Sequence, residues 1–213
     1  MEAFTAHTGT AVPLRKTDID TDQIIPVRFC ATRVTKAGFG EGMMADLRTE
    51  PDFVLNQPQY NGATVLVAGE NFGVGSSREW AVWAIMDYGF RAVFSTRFGD
   101  IFRNNAAANG LVAGTMPQDS ITQLWKQVEN HPDEPVTVDL EKLEVSVAGM
   151  TFGFEYPADF RWRVLNGIDE ISLTLQAEDE IAAFEGRRRR SKPAVPLTRD
   201  APMPTPIRLQ AGA

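Results

Sequence analysis

The sequence predicts an α/β fold, because strand and helix patterns alternate through its middle and only strands follow. TVLVAGE at 64–70 and RAVFST at 91–96 are short apolar runs rich in β-branched residues, which is typical of buried strands. Between them, SREWAVWAIMDYG predicts a helix that ends at Gly89. Residues 64–96 are therefore expected to form one βαβ unit with parallel strands and a right-handed crossover.

A second helix and strand follow the first unit in the same order. GDIFRNNAAANG predicts a helix ending at Gly110, and LVAGTM a third strand. PQDSITQLWKQVENHP has the period of an amphipathic helix, with Asp119 or Ser120 as the expected N-cap. From Pro135 the period changes to two, in VTVDL, LEVSVAG and TFGFEY, which predicts antiparallel strands around a Gly-Met turn.

The chain before residue 64 is harder to interpret. QIIPV at 23–27 is a short strand candidate, and a Gly-rich stretch of about 35 residues follows it. Compact domains rarely contain loops longer than about 15 residues unless those loops have a function or move. This stretch is therefore a candidate for contact with a ligand.

Composition limits the class of protein. No apolar run approaches the ~20 residues of a membrane span, and the N-terminus lacks a signal-peptide pattern, so we expect a soluble cytoplasmic protein without a membrane partner. A net charge of -7 argues against nucleic acid as a partner. Cys30 is the single cysteine, whereas an iron-sulfur cluster needs about three or four thiolates, so such a cluster would have to come from another chain.

The C-terminal segment differs from the rest of the chain. Residues 187–213 contain five prolines and have seven Lys or Arg against one Asp, without a helical or strand period. They predict a disordered basic tail. The RRRR run could also be a nucleic-acid or membrane-surface patch, but a solvated segment is the preferred interpretation. The folded part is expected to end near Phe184.

The loop GENFGVGSSRE, at 69–79, is the strongest candidate site. It lies at the carboxyl end of a predicted parallel strand, where open α/β sheets bind ligands. Ser76 and Glu79 have the spacing of a capping box, so a serine is expected to cap the following helix. With the helix dipole and Arg78, the loop could hold a carboxylate or phosphate. The alternative, a Gly-rich turn that binds nothing, stays open at this point.

Several known motifs are absent from this loop. It lacks the Gly-Lys-Ser/Thr ending of a Walker A loop, the third glycine of a dinucleotide fingerprint and the GxSxG of a serine hydrolase. A second candidate, TDIDTDQIIP at 17–26, has alternating acids, yet it does not match a calcium loop, and a solvated turn is the preferred interpretation. The aromatic residues of the following helix, Trp80, Trp83 and Tyr88, are expected in the core.

Taken together and in order, these segments resemble the small subunits of the 3-isopropylmalate dehydratases, a family of the aconitase superfamily. The resemblance spans residues 1–186 and is carried by HTGTAVPL, DTDQIIP, PDFVLNQPQY, GENFGVGSSRE and WAIMDYGFRAVFSTRFGDIFRNNAAANGL. It implies the swivelling β/β/α three-layer domain of the aconitase C-terminal, or fourth-domain, type. It also implies a hydro-lyase of leucine biosynthesis, which interconverts 2-isopropylmalate and 3-isopropylmalate through 2-isopropylmaleate.

The resemblance implies a partner and a cofactor as well. The partner is a large subunit with three cysteines and a [4Fe-4S] cluster, in a heterodimer or heterotetramer. The substrate is a small dicarboxylate, and this chain itself is expected to bind no metal. The long loop, about 28–52, corresponds to the segment that covers the site and selects the side chain of the substrate.

The resemblance also assigns roles to individual residues. Ser76 matches the catalytic base, an alkoxide that removes the proton alpha to a carboxylate. Ser77 and Arg78 match the contacts to substrate and oxyanion, and a helix N-terminus beside the arginine would stabilise the negative oxygen. Asp22 matches an acid that orients the serine or the arginine.

Two further residues, Thr21 and Gly75, are expected at the substrate. The chain departs from the common family pattern GCGSSREHA at two positions, where it has Val74 for Cys and Trp80 for His. Trp80 leaves two alternatives open: the small subunit of a related hydro-lyase, of the homoaconitase or methylmalate type, or a non-catalytic partner subunit.

Overall fold

The computed structural model describes residues 1–30 and 37–188, in two compact units that divide between Ser172 and Leu173. The strands are β1 (Ala6–Gly9), β2 (Ala11–Leu14), β3 (Val65–Ala68), β4 (Ala92–Ser95), β5 (Val112–Thr115), β6 (Val136–Asp139), β7 (Glu144–Val147) and β8 (Met150–Gly153). The helices are α1 (Thr21–Ile24), α2 (Trp80–Tyr88), α3 (Asp100–Asn109), α4 (Gln118–Asn130), α5 (Ala158–Asn166), α6 (Glu170–Leu175) and α7 (Glu178–Arg188).

A parallel sheet in the order β2-β3-β4-β5 forms the centre of the first unit. Its inner strands are fully buried and apolar apart from Ser95, with Val65 opposite Ala92 and Ala92 opposite Val112. The predicted βαβ unit is thus confirmed, and α2 and α3 end at Gly89 and Gly110 as expected. The sequence interpretation missed β2, which adds a fourth strand beside β3.

A second, antiparallel sheet has the order β1-β6-β7-β8, and α4 contacts both this sheet and the parallel one. The predicted period-two strands are confirmed, but the turn between β7 and β8 consists of Ala148 and Gly149 rather than Gly149 and Met150. Both turn residues have positive φ, 48° and 75°. Such a pair matches the twist of a two-residue hairpin, and Met150 is therefore free to begin β8.

Two local predictions were wrong. QIIPV is not a strand, because Gln23 belongs to α1: Asp20 and Gln23 exchange side-chain and backbone hydrogen bonds, at 2.7 and 3.0 Å, in a capping box. At α4 neither Asp119 nor Ser120 is the cap, since Pro117 precedes the helix and no side chain caps it. Proline at that position already has a backbone angle suited to entering a helix.

The part of the long loop that the structure describes packs tightly instead of projecting into solvent. Short 3₁₀ turns include Phe39–Gly42 and Leu47–Thr49, and Phe39 is buried. The amide of Gly40 donates to the Asp87 carboxylate at 2.8 Å, and a Cβ at Gly40 would lie 2.8 Å from the backbone of α2. This segment is thus anchored on α2. Residues 31–36 of the predicted loop lie outside the described residues.

The second unit begins at Leu173 and contains α7, which has no buried side chain and ends at Arg188. Phe184, where the folded part was expected to end, is 55% exposed within this helix. Residues 189–213 of the predicted tail lie outside the described part of the chain, so the domain boundary stays a prediction. Among the described helices, each is too short or too polar to cross a membrane.

Candidate functional site

The loop between β3 and α2 extends the parallel sheet beyond its carboxyl edge. On one side, the amide of Gly73 donates to the carbonyl of Ile19 at 2.7 Å, and the amide of Thr21 donates to the carbonyl of Val74 at 2.9 Å. On the other side, the amide of Phe72 donates to a carbonyl of the next connection, between β4 and α3, at 3.0 Å. The first half of the loop is therefore held from both sides by backbone hydrogen bonds.

Two glycines give the loop its shape. Gly73 and Gly75 have φ values of 74° and 93°, where a side chain is strained. At Gly73 there is also no room for one, because a Cβ would lie 2.3 Å from the ring of Phe102. Gly75 has more space, since the nearest atom to a Cβ there is 3.4 Å away.

Ser76 and Ser77 lie on the exposed part of the loop. In the part of the chain that the structure describes, neither their hydroxyls nor their amides have a hydrogen-bond partner. Four donors are thus available beside one another. This is the arrangement expected for a site that holds an oxyanion.

The predicted capping box of Ser76 and Glu79 is wrong. Helix α2 begins at Trp80, and Glu79 precedes it without a side-chain cap. The carbonyl of Ser76 instead accepts hydrogen bonds from the amide of Arg78, at 2.8 Å, and from the hydroxyl of Thr21, at 3.0 Å. Because the effect of a helix dipole fades within about one turn, the dipole of α2 acts weakly on Ser76, and the loop amides and Arg78 are the stronger stabilising groups.

Arg78 forms an ion pair with Asp22. The side chain of Arg78 is 23% exposed and that of Asp22 is 53% exposed, so the pair adds little to stability. Its effect is on orientation, since it directs the guanidinium of Arg78 toward α1. The resemblance implied that Asp22 orients either the serine or the arginine, and in the structure Asp22 pairs with the arginine.

Thr21 lies behind the loop. It is 1% exposed, and its hydroxyl is already used in the bond to the Ser76 carbonyl. A contact between this hydroxyl and substrate would require that bond to break. The position of Thr21 therefore favours a role in holding Ser76.

The other two acids of TDIDTD have structural partners. Asp18 accepts a hydrogen bond from the side chain of Asn71 at 2.7 Å, and this bond lowers the pKa of the Asp18 carboxyl. Asp20 caps α1. The segment is therefore not a simple solvated turn: Asp18 lies in a bend, Asp20 caps α1, and Asp22 belongs to α1.

Helix α2 carries aromatic residues in different environments. Trp80 was expected in the core, but it is 36% exposed, because it is the first residue of the helix and lies where the loop leaves the body of the domain. Trp83 and Tyr88 are partly buried and pack against the core. The sequence interpretation also missed Asn109, whose side chain bonds to Glu79 at 2.6 Å. No local pattern reveals a contact between residues so far apart in the chain.

Two cavities lie outside the predicted site. One, of about 450 Å³, is lined by residues including Trp83, Met86 and Arg91, and the other, of about 390 Å³, by Leu14, Lys16 and Phe53. Neither is lined by the serines or Arg78. Among the described residues, Ser76 and Ser77 lie exposed on the surface of the loop.

The chain offers no suitable ligand set for an iron-sulfur cluster. Its one cysteine, Cys30, is buried with its sulfur 3.9 Å from the carbonyl of Pro26. Within the described residues no three His, Cys, Asp or Glu side chains are grouped as metal ligands. His7 bonds to the hydroxyl of Thr64 at 2.7 Å, and burial lowers the pKa of its imidazole.

Comparison with known proteins gives two matching family models. Residues 1–119 match the aconitase C-terminal domain, and residues 170–196 match the C-terminal domain of the 3-isopropylmalate dehydratase small subunit. The second match extends past residue 186, where the resemblance seen in the sequence ended.

Individual proteins agree with these models. The chain is 53% identical to the 3-isopropylmalate dehydratase small subunit of Streptomyces coelicolor, over 91% of this chain and 98% of the relative. It is 54% identical to that of Acidothermus cellulolyticus over the same shares. Among solved structures, 3-isopropylmalate dehydratase of Methanocaldococcus jannaschii is 28% identical with a TM-score of 0.61, covering 84% of this chain and 99% of that one.

Proposed function

Because the chain belongs to the 3-isopropylmalate dehydratase small subunit family, we propose that it forms half of an enzyme that interconverts 2-isopropylmalate and 3-isopropylmalate. Water leaves one isomer to give 2-isopropylmaleate and adds back at the adjacent carbon. The predicted fold of the aconitase C-terminal type is confirmed by the family match. The observation that carries the proposed role is the exposed Ser76 and Ser77 beside an arginine that Asp22 orients.

Ser76 is the proposed base. As an alkoxide, its oxygen takes the proton from the carbon alpha to a carboxylate, and it returns that proton when water adds back. An alkoxide needs strong stabilisation, and the amides of Ser76 and Ser77 together with Arg78 provide hydrogen-bond donors and positive charge. Each such donor contributes about 3 kcal/mol to transition-state stabilisation in comparable sites.

Arg78 is the proposed clamp for a substrate carboxylate. A guanidinium can donate two parallel hydrogen bonds to a carboxylate, a geometry that lysine cannot reproduce. In the free chain this guanidinium forms an ion pair with Asp22. We propose that Asp22 keeps Arg78 in position until the substrate arrives, with Gly75 allowing the ligand to approach the backbone closely.

The rest of the active site belongs to a partner in this proposal. A large subunit would cover the exposed serines and carry the [4Fe-4S] cluster, for which this chain has no suitable ligand set, and the pair would form a heterodimer or heterotetramer in the cytoplasm. The described part of residues 28–52 is proposed to support selection of the substrate side chain.

The test is reconstitution. Co-expression with a cluster-bearing large subunit should produce a complex that converts 2-isopropylmalate to 3-isopropylmalate. Ser76→Ala should lower kcat by about 10²- to 10⁴-fold, the range of general-base contributions. Ser77→Ala is the matched control on the adjacent hydroxyl, and it should raise KM more than it lowers kcat. Full activity of the Ser76→Ala complex would refute the role of Ser76.

A second candidate function is supported by Trp80, which is exposed directly after the loop at 69–79. The large indole there could select a different side chain on the malate, as in a related hydro-lyase of the homoaconitase or methylmalate type. Assays with a panel of substituted malates separate the two functions. A complex that is inactive on every malate but gains activity with Trp80→His would instead indicate a non-catalytic subunit.

A further inference from the structure

Glu79 is the last residue of the loop at 69–79 and directly precedes α2. It follows Arg78 directly, and its carbonyl accepts the first hydrogen bonds of the helix, from the amides of Val82 at 3.0 Å and Trp83 at 3.2 Å. Its carboxylate does not cap this helix and instead accepts a hydrogen bond from Nδ2 of Asn109 at 2.6 Å. The position of Glu79 therefore determines where the loop enters the helix.

Asn109 is the last residue of α3, and both the nitrogen and the oxygen of its side-chain amide form hydrogen bonds. Nδ2 donates to Glu79 and also to the carbonyl of Asn105, at 2.9 Å, while Oδ1 accepts from Nε1 of Trp83 at 3.1 Å. Two donors and one acceptor in this arrangement require an amide. An aspartate of the same shape would direct an oxygen at the Glu79 carboxylate.

Trp83 connects this group to the segment that follows residue 36. Its ring contacts the buried Phe39 edge to face, with centroids 5.6 Å apart. The neighbouring Gly40 is bonded to Asp87 on the same helix. The indole of Trp83 therefore packs against the proposed substrate-selecting segment. The same indole bonds to Asn109, which in turn bonds to the carboxylate of Glu79.

From these contacts we infer that Asn109 and Trp83 are positioning residues for the Ser76 to Arg78 loop. The inference rests on the function proposed above. The two residues act through Glu79, and neither is assigned a contact with substrate. Because displacement of a reacting group by about 1 Å can cost about 100-fold in rate, loosening this anchor should reduce kcat although the serine and arginine remain in the chain.

The first test is the activity of the reconstituted complex. Asn109→Ala should lower kcat about tenfold, and Asn104→Ala, at an exposed position on the same helix, should leave it unchanged. Alanine favours helices more than asparagine, so the loss would not come from weakening α3. Trp83→Phe keeps a ring against Phe39 but removes the indole N–H, and should lower kcat in the same way.

The double variant Trp83→Phe/Asn109→Ala should be no slower than the slower single variant, since both substitutions break the same chain of bonds. Asn109→Asp should be slower than Asn109→Ala, because the introduced carboxylate would face the carboxylate of Glu79 where the amide now donates. Independent effects that multiply in the double variant would overturn the inference.

A second measurement does not depend on activity. In ¹H–¹⁵N spectra of the full chain, Asn109→Ala should shift the amide signals of Ser76, Ser77 and Arg78, and Asn104→Ala should not. Unshifted signals overturn the inference, as does an Asn109→Ala complex with unchanged kcat. If the wild-type complex proves inactive on every malate, the proposed function fails, and the amide signals still decide whether Asn109 positions the loop.

Discussion

Two strand-to-helix connections of the same parallel sheet differ in length and in exposure. Eleven residues, 69–79, join β3 to α2, and four residues, 96–99, join β4 to α3. Both leave the carboxyl edge of the sheet, where ligand sites occur. Only the longer connection presents adjacent exposed serines, Ser76 and Ser77, beside an arginine.

The shorter connection supports the longer one. The amide of Gly99 donates to the carbonyl of Phe72 at 2.9 Å, and the buried hydroxyl of Ser95 donates to the carbonyl of Gly69 at 2.6 Å. Topology alone therefore does not create the candidate site. The candidate site depends on the additional residues of the long connection. The first half of that connection is held in place by the short connection beside it.

Gly73 lies in the long connection and packs against Phe102 of α3. Gly73→Ala should destabilise the protein by roughly 2 to 5 kcal/mol, because it combines a positive φ with a clash against the ring of Phe102. Urea unfolding measures the change. Gly75→Ala is the control: its φ is also positive but its Cβ has space, so the loss should be about 1 to 2 kcal/mol. Equal losses at the two positions would contradict this explanation.

Gly99 tests the support from the short connection. A Cβ at Gly99 would lie 2.4 Å from the carbonyl oxygen of Gly73, so Gly99→Ala should cost about 1 to 3 kcal/mol and separate the two loops. Chemical denaturation gives the stability, and the spectra of Ser76 and Ser77 give the displacement. Gly153→Ala, on β8 with open space around it, should have little effect. Undisturbed serine signals in a destabilised Gly99→Ala protein would show that the support does not extend to the site.

Thr21 tests the attachment of the exposed half of the loop. Thr21→Val removes the hydroxyl that holds the carbonyl of Ser76, and should cost about 1 kcal/mol in stability together with a fall in kcat. The matched control is Thr96→Val in the short connection. The Thr96 hydroxyl is buried without a partner in the described part of the chain, so its removal should be neutral or stabilising. Unchanged kcat in the Thr21→Val complex would show that the Thr21 hydroxyl does not position Ser76 for the reaction.

The smallest expected effect concerns pH. Hydrogen bonds, chiefly from Asn71, lower the pKa of Asp18 in the folded protein, so the folded state favours the charged carboxylate. This contribution to stability is complete above the pKa of Asp18 in the unfolded chain and is lost as pH falls through the lowered, folded value. Carbon NMR titration should find the Asp18 pKa higher in Asn71→Ala. An identical titration curve would contradict the role of this bond.

Local sequence patterns were sufficient to predict the strands and helices of the parallel sheet. The apolar runs at 64–70 and 91–96 and the glycines at 89 and 110 predicted the parallel strands and the ends of the helices between them. They succeed because burial of a β-branched run and a glycine with positive φ are properties of a few neighbouring residues. The family resemblance likewise depended on motifs that are visible in the sequence.

The details of the site depended on tertiary contacts. Asp20 with Gln23 and Ser76 with Glu79 have the same spacing, yet only the first pair forms a capping box. In the second pair, distant residues bind the polar groups instead. The hydroxyl of Thr21 donates to the carbonyl of Ser76, and the Glu79 carboxylate accepts a hydrogen bond from Asn109.

By itself, then, the sequence determined the parallel core and the family resemblance, and it predicted a carboxylate-binding site in the loop at 69–79. The tertiary structure decided that the serines remain exposed ahead of α2, that Asp22 pairs with Arg78, and that the side chain of Asn109 bonds to the Glu79 carboxylate at the end of the loop. The physical reason is that a side chain forms the hydrogen bonds that the fold makes available, and partners about 30 or more residues away are not encoded in local spacing.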